Sequence, residues 1–121
     1  MKKMIALFLV FLLTLSVVPA MAEGPAMDAR VVGINEYGHA KLDITEADFS
    51  RAGFDLGDIV TVTCGSYIGD VPVFNGYYVD RGGCMMRVDP HEDDISLCIN
   101  YGNFSEAAGV GAGDAVTIAM K

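Results

Sequence analysis

The chain has 121 residues, 16 of them Asp or Glu against 8 Lys or Arg, for a formal net charge of −8. A chain of this length holds one core rather than two, and its acidity repels phosphate backbones and anionic membrane surfaces, which sets nucleic-acid binding aside. The three cysteines, Cys64, Cys84 and Cys98, show no CxxC or Cys/His spacing of a zinc site. An odd number cannot all pair within one chain, so three mostly buried free thiols are expected, with one internal disulfide as the alternative in an oxidising compartment.

The chain opens on Lys2 and Lys3, then runs apolar from Met4 to Val18, broken only by Thr14 and Ser16. Pro19 ends the run, and Ala20-Met21-Ala22 is a small-x-small cleavage pattern. This layout predicts a cleaved secretory signal over residues 1–22. The run is shorter than the ~20 residues that span a hydrocarbon core. The expected address is therefore secreted or cell-envelope, with no membrane attachment after cleavage. Removal of Lys2 and Lys3 leaves the remainder more acidic still, which suits solubility outside the cell.

Residues 23–29 contain Gly24 and Pro25 without periodicity and read as a disordered leader, followed by a single domain over residues 30–121. Arg30 to Ile34 is a first strand, Asn35 to Gly38 a turn, and His39 to Ile44 the returning strand. Thr45 followed by Asp48 is a capping-box signal for a short helix that points Phe49 to the core and closes at Gly53. Asp58 to Cys64 alternates and is rich in β-branched residues, a clear strand. Tyr67 to Phe74 is a strand whose Pro72 argues for an edge or a bulge. Asn75-Gly76 turns, Tyr77 to Asp80 is short and extended, and Arg81 to Gly83 turns again. Cys84 to Val88 and Ile95 to Ile99 are strands around the acidic loop 89–94. Asn103 caps a second short helix with Glu106 at its third position and Gly109 at its end, and Ala115 to Met120 is the last strand.

Residues 52–61 and 108–117 echo one another: each has Ala-Gly, a loop, Gly-Asp and a strand. Two such corners, about seven short strands and little helix predict a mostly β fold: a small antiparallel β-barrel or sandwich with two short helices. Closure is expected, because a small sheet with open edges aggregates.

Chemistry-bearing patterns are sparse. Ser50, Ser66, Ser96 and Ser105 lack a nucleophile-elbow context, and Gly109 to Gly113 lacks the Lys and Ser/Thr of a phosphate loop. The loop Asp89-Pro90-His91-Glu92-Asp93-Asp94 does not follow calcium-loop spacing and reads as a solvated hairpin loop. Tyr37 and His39 flank Gly38 at a hairpin, where an aromatic and an imidazole can meet a planar group beside a close backbone, although an ordinary turn explains them too. No metal or catalytic residue is expected.

Four motifs in order carry a resemblance. Ile34 to Ile44 follows an Ile-Asp-x-Phe-Gly-Asn-x-x-Thr-Asn-Ile strand, Gly57-Asp58-Ile59-Val60 a Gly-Asp-x-Val strand, Tyr77 to Asp80 a Thr-Tyr-x-Asp segment, and Leu97 to Phe104 with Gly113 to Val116 an Asn-x-Gly-Asn helix entry and a second Gly-Asp-x-Val. Across Val31 to Met120 the sequence thus resembles the C-terminal domain of the S-adenosylmethionine hydroxide adenosyltransferase family, which includes fluorinases and chlorinases. The resemblance implies a small β-barrel, with an adenosyl group held between it and the larger N-terminal domain of a neighbouring subunit in a trimer. Its matched ligand-side positions are Tyr37, Gly38, His39, Tyr78, Asp80 and Asn103, with Asn100 in the same motif. His39 stands where the family has the Asn that contacts adenine, and an imidazole lacks an amide's paired donor and acceptor. The acidic residues Glu92, Asp93 and Asp94 replace a Ser-rich turn.

The family's chemical residues lie in its N-terminal domain, which has no counterpart among these residues. The expectation is therefore an exported barrel that does not act as an enzyme on its own but serves as a binding or assembly module, with no cofactor and with S-adenosylmethionine or adenosine as the ligand. Two alternatives stand beside it. One is hydrolysis of S-adenosylmethionine to adenosine and methionine, with a separate chain supplying the N-terminal domain. The other is an envelope structural or carbohydrate-contacting domain, for which Tyr67, Tyr77, Tyr78 and Tyr101 would form one exposed stripe.

Overall fold

A computed structural model describes residues 24–121; the expected signal peptide lies outside the described residues. Seven strands close into a barrel: β1 (Ala26–Ile34), β2 (Ala40–Leu42), β3 (Ile59–Cys64), β4 (Tyr67–Phe74), β5 (Cys84–Val88), β6 (Ile95–Ile99) and β7 (Ala115–Met120), in the order β1-β2-β6-β5-β4-β3-β7. Two short helices, α1 (Glu46–Arg51) and α2 (Phe104–Ala108), precede β3 and β7. The mostly β barrel expected from the sequence is therefore what forms.

Alternation builds the interior. Val60, Val62 and Cys64 on β3, Val71 and Val73 on β4, and Val116 and Ile118 on β7 are all buried, while the residues between them are not. Each such apolar side chain taken from water stabilises the fold by roughly 1.5–3 kcal/mol, with cysteine below that range. The helices contribute Phe49, stacked on Phe54 at 4.8 Å, and Phe104, which meets Tyr67 edge-on at 5.2 Å. Both caps form as their residues predict. Thr45 Oγ1 accepts from the Asp48 N–H and Asp48 Oδ2 accepts from the Thr45 N–H. Asn103 Oδ1 accepts from the Glu106 N–H, and Gly109 takes the left-handed conformation at φ 70°.

The two echoed corners are alike in their bonding. The Gly57 N–H donates to the Val73 carbonyl at 2.7 Å and the Val73 N–H to the Asp58 carbonyl at 2.9 Å; the Gly113 N–H donates to the Val31 carbonyl at 2.7 Å and the Val31 N–H to the Asp114 carbonyl at 2.9 Å. The strands that leave the corners, β3 and β7, pair antiparallel in a register symmetric about Val62 and Ile118. A local two-fold relation thus joins the halves of the barrel.

Three expectations need correction. The leader expected over residues 23–29 is ordered strand from Ala26, because Ala26 to Arg30 pair with Ala119 to Ala115 and close the barrel. Met27 is half-buried and Ala29 buried on its inner side, a pattern too short and too mild to stand out beside Gly24 and Pro25. The segment Tyr77 to Asp80 is not extended strand but part of an irregular 75–83 connection. That connection carries the chain across so that β4 and β5 pair parallel, Val73 with Met86 and Phe74 with Arg87, in a barrel that is otherwise antiparallel. Pro72 lies just before this pairing, where only β3 borders β4, so its missing N–H breaks no ladder.

The alternation fails in one place. Met85 and Met86 on β5, and Leu97 and Cys98 on β6, are all fully buried. Met86 and Leu97 belong to the interior; Met85 and Cys98 face outward, so the outside of these two strands is covered as well. The cover is the 75–83 connection, tied down where the Asn100 Nδ2 donates to the Val79 carbonyl at 2.9 Å and the Gly82 N–H donates to the Asn100 carbonyl at 2.8 Å.

Candidate functional site

The site lies on this doubly covered part of the barrel. A cleft of about 690 Å³ is lined by Tyr37, His39, Tyr77, Ile99, Asn100, Tyr101 and Gly102. A second hollow of about 330 Å³ shares Tyr37, His39 and Tyr77 with it and continues over Lys41, Arg87 and Ser96 to Asp89, Glu92 and Asp94. Both sizes are those of small-molecule sites. One end is apolar and aromatic; the other is charged, with both signs present.

The β1–β2 hairpin supplies the first wall. The Asn35 carboxamide oxygen accepts from the Tyr37 N–H at 2.9 Å and the His39 N–H at 3.0 Å, which fixes the turn that projects both side chains. Gly38 between them sits at φ 84°, and a side chain there would collide with the Asn103 amide. Its carbonyl accepts from the Ser105 N–H at 2.9 Å, so the hairpin is docked on the start of α2. The 75–83 connection supplies the facing wall. The His39 ring lies between two tyrosines, 5.9 Å from Tyr37 and 6.0 Å from Tyr77, tilted 43° to each.

The third wall is the turn after β6. Tyr101 is a bulky residue held at φ 61° and is 78% exposed, with the Arg81 guanidinium 4.4 Å from its ring centre. A left-handed aromatic is strained, and such strain gathers at binding sites.

On the outer face of the strands, Ser96 stands opposite both Lys41 and Arg87 in register, giving a polar floor. Lys41 pairs with Asp94 and Arg87 with Asp89, each at 3.3 Å. Asp89 also accepts from the N–H groups of His91 and Glu92, and these bonds hold its carboxyl below the usual carboxylate range. The acidic loop is thus organised as a hairpin around Asp89. Burial, then the nearby Arg87 cation, lowers the His39 pKa below 6.5, so the imidazole is neutral at pH 7 with one donor and one acceptor nitrogen. Burial raises the Tyr77 phenol above its ordinary value, which keeps its hydroxyl a donor.

Of the residues singled out in the sequence, Tyr37 and His39 line the cleft directly, and Gly38 and Asn103 build the contact beneath them. Tyr78 does not line it: this ring packs edge-on against Phe74 at 5.6 Å, and its neighbour Tyr77 takes the place facing His39. Asp80 does not line it either; its carbonyl accepts from the Gly83 N–H at 2.8 Å and shapes the connection. In an irregular segment the direction of adjacent tyrosines is set by the path of the chain, which no periodicity reports. Of the four tyrosines expected in one exposed stripe, Tyr77, Tyr78 and Tyr101 are exposed, while Tyr67 packs against the core. Sequence reasoning missed Arg87, Lys41, Ser96 and Ile99 as site residues, and named Tyr77 and Tyr101 only for the carbohydrate-contacting alternative. The available signal was the adjacent apolar pairs Met85-Met86 in β5 and Leu97-Cys98 in β6, which put apolar side chains on both faces of these strands.

No protein-family model matches the chain, and no curated protein does. The fold is similar to that of two solved structures. One is an uncharacterized conserved protein from Thermotoga maritima, 22% identical with a TM-score of 0.71, over 78% of this chain and 36% of that one. The other is a conserved hypothetical protein from Thermus thermophilus, 22% identical with a TM-score of 0.56, over 79% of this chain and 35% of that one. The chain therefore spans about a third of the length of the structures it resembles, and at this identity the likeness is one of fold.

Proposed function

We propose that the chain is an exported barrel akin to the C-terminal domain of the S-adenosylmethionine hydroxide adenosyltransferases, and that it binds a nucleoside-type ligand, adenosine or S-adenosylmethionine, without catalysis of its own. The observation that carries this reading is the aromatic cleft of Tyr37, His39 and Tyr77, on the hairpin where the family resemblance puts its adenine contact. A planar base stacks on such rings whatever its edge pattern, with each stacked base worth ~1–3 kcal/mol. The neutral His39 adds one hydrogen bond of either sense. The charged end, with Lys41 and Arg87 beside Asp89, Glu92 and Asp94, suits a ligand tail that is itself uncharged or dipolar.

A second reading rests on the same family resemblance: a separate chain supplying the family's larger domain would turn the barrel into half of an adenosyl-transfer site. The test of the first reading is calorimetry of the purified chain against adenosine, S-adenosylmethionine and methionine. Heat with the two adenosyl compounds is expected. No heat with any of the three would remove the ligand and leave an assembly role alone. For the second reading, release of adenosine from S-adenosylmethionine only when a partner chain is added is the decisive result.

A further inference from the structure

Tyr77 walls both parts of the cleft, yet little of the backbone holds it there. Its connection is bonded at the far end, where Asn100 grips Val79, Gly82 and Gly83. Among the described residues the backbone of residues 75–78 makes no hydrogen bond with other backbone groups. The next side chain, Tyr78, turns away to Phe74. What meets the Tyr77 ring is His39 on one side and Arg87 on another, with the Arg87 guanidinium carbon 4.8 Å from the ring centre.

Arg87 is placed oddly for a residue that only stabilises the sheet. Its side chain is 23% exposed, and among the described residues it has one ion pair, to Asp89 at 3.3 Å, while its buried Nε has no hydrogen-bond partner. Buried donors are nearly always satisfied, and one left over marks a group held for another reason. Here the guanidinium lies over the aromatic face that walls the cleft, a contact that strengthens as water is excluded.

We propose that Arg87 is a positioning residue of the cleft: from the outer face of β5 it latches the Tyr77 ring, and with it the 75–83 connection, against His39, so that the aromatic wall stands ready before a ligand arrives. A wall ordered in advance removes the ordering cost from binding. The latch itself rests on contacts within the free protein; only its effect on affinity rests on the ring-binding reading above.

The experiment compares the full chain with R87M, R87K and Y77A, using thermal unfolding to confirm that each variant folds. NMR of the ligand-free protein reads Tyr77–His39 ring contacts and the His39 titration; calorimetry reads binding of adenosine. The titratable groups facing or sharing the cleft with His39 are Tyr37, Tyr77, Tyr101, Lys41, Arg87, Asp89, Glu92 and Asp94, and Arg87 alone is altered in the first two variants. R87M is expected to lose the ring contacts, raise the His39 titration towards its ordinary value, and weaken adenosine about tenfold. R87K keeps the cation but not the flat guanidinium, so the His39 titration stays near that of the parent while affinity falls in between. Y77A should match R87M in affinity while leaving the Arg87 charge in place.

Intact Tyr77–His39 contacts and an unmoved His39 titration in R87M would overturn the latch, as would unchanged adenosine binding in a variant whose contacts are lost. Should adenosine bind no form of the chain, the ring-binding reading fails, and the ligand-free spectra of R87M decide the latch by themselves.

Discussion

Asp58 and Asp114 do the same thing at two corners of the barrel: Asp58 Oδ2 accepts from the Asp55 N–H at 2.8 Å, and Asp114 Oδ2 accepts from the Gly111 N–H at 2.9 Å. Each carboxylate closes a four-residue turn just before a strand, after a glycine with positive φ, 92° at Gly57 and 97° at Gly113. The Gly-Asp pairs of the sequence are thus turn devices first, and their agreement with a family pattern is agreement about how the barrel folds.

The corners should therefore respond alike. Asp58→Ala and Asp114→Ala are each expected to lower stability by about 1 kcal/mol, the worth of one such hydrogen bond. Gly57→Ala and Gly113→Ala should do similar or greater harm, about 1–2 kcal/mol, through backbone strain alone. A Cβ at either glycine meets nothing within 4 Å, so no steric clash confuses the result. Urea unfolding checks this: midpoints should fall by comparable amounts in the two halves without a change of slope. A large asymmetry would mean that the halves are alike in shape only.

In the cleft, adjacent tyrosines should behave differently. Tyr77→Ala and Tyr37→Ala each remove a wall and are expected to weaken adenosine about tenfold, within the range of ~1–3 kcal/mol for lost stacking. Tyr78→Ala removes a ring that packs on Phe74 and should leave affinity within about twofold while lowering thermal stability slightly. Calorimetry on the three variants separates a built site from a general aromatic surface.

Most of the fold was legible because local chemistry and global topology agree. The Thr45 and Asn103 caps, the Gly109 stop and the β3 alternation each name their elements in the sequence. What escaped was decided by non-local partners. Ala26 to Ala29 are strand only because β7 needs a neighbour to close the ring. The cleft escaped for the same reason. Its floor is the outside of β5 and β6, and nothing local says that residues 75–83 will fold over it, save that Met85-Met86 and Leu97-Cys98 put apolar side chains on both faces. Arg87 then reads in sequence as an ordinary strand cation, and its contact with Tyr77 belongs to the path of the connection.

The neutral His39 gives the stability a pH signature. Its pKa in the folded chain lies below 6.5, through burial first and the Arg87 cation second, so the unfolded chain binds more protons in that window. Stability should then be unaffected by this group above pH 6.5 and should fall as pH drops from there through the folded value. His39→Gln removes the titration, and the loss of stability between about pH 7 and 5 should be smaller in that variant than in the parent. Thermal unfolding across this range reads the difference; identical slopes would show that the ring is solvated like a free imidazole.

The leader makes a simple expectation. In a secreting host the chain should be recovered with Glu23 as its first residue. Intact mass and N-terminal sequencing read this directly. A retained Met1, with the protein found in the cytoplasm, would remove the export half of the proposal and make intracellular S-adenosylmethionine an accessible ligand.

The cysteines test the same address from the inside of the fold. Cys84 and Cys98 lie on neighbouring strands, but Cys84 is opposite Ile99 and Cys98 is opposite Met85, so they project from opposite faces of the pair. A disulfide between them would require a register slip, and all three thiols are free. Burial pushes the Cys98 thiol up to about 12 and raises that of Cys64, which removes the reactive thiolate from both at ordinary pH. Iodoacetamide at about pH 8 should therefore mark Cys84, the half-buried one, well ahead of the others, and all three only in denaturant. A native protein that labels at Cys98 would show that the 75–83 connection opens readily, since this thiol is fully buried on the outer face that the connection covers. An oxidising compartment should add no bridge between these two, and a Cys84–Cys98 disulfide mapped by mass spectrometry after mild oxidation would contradict the strand register itself.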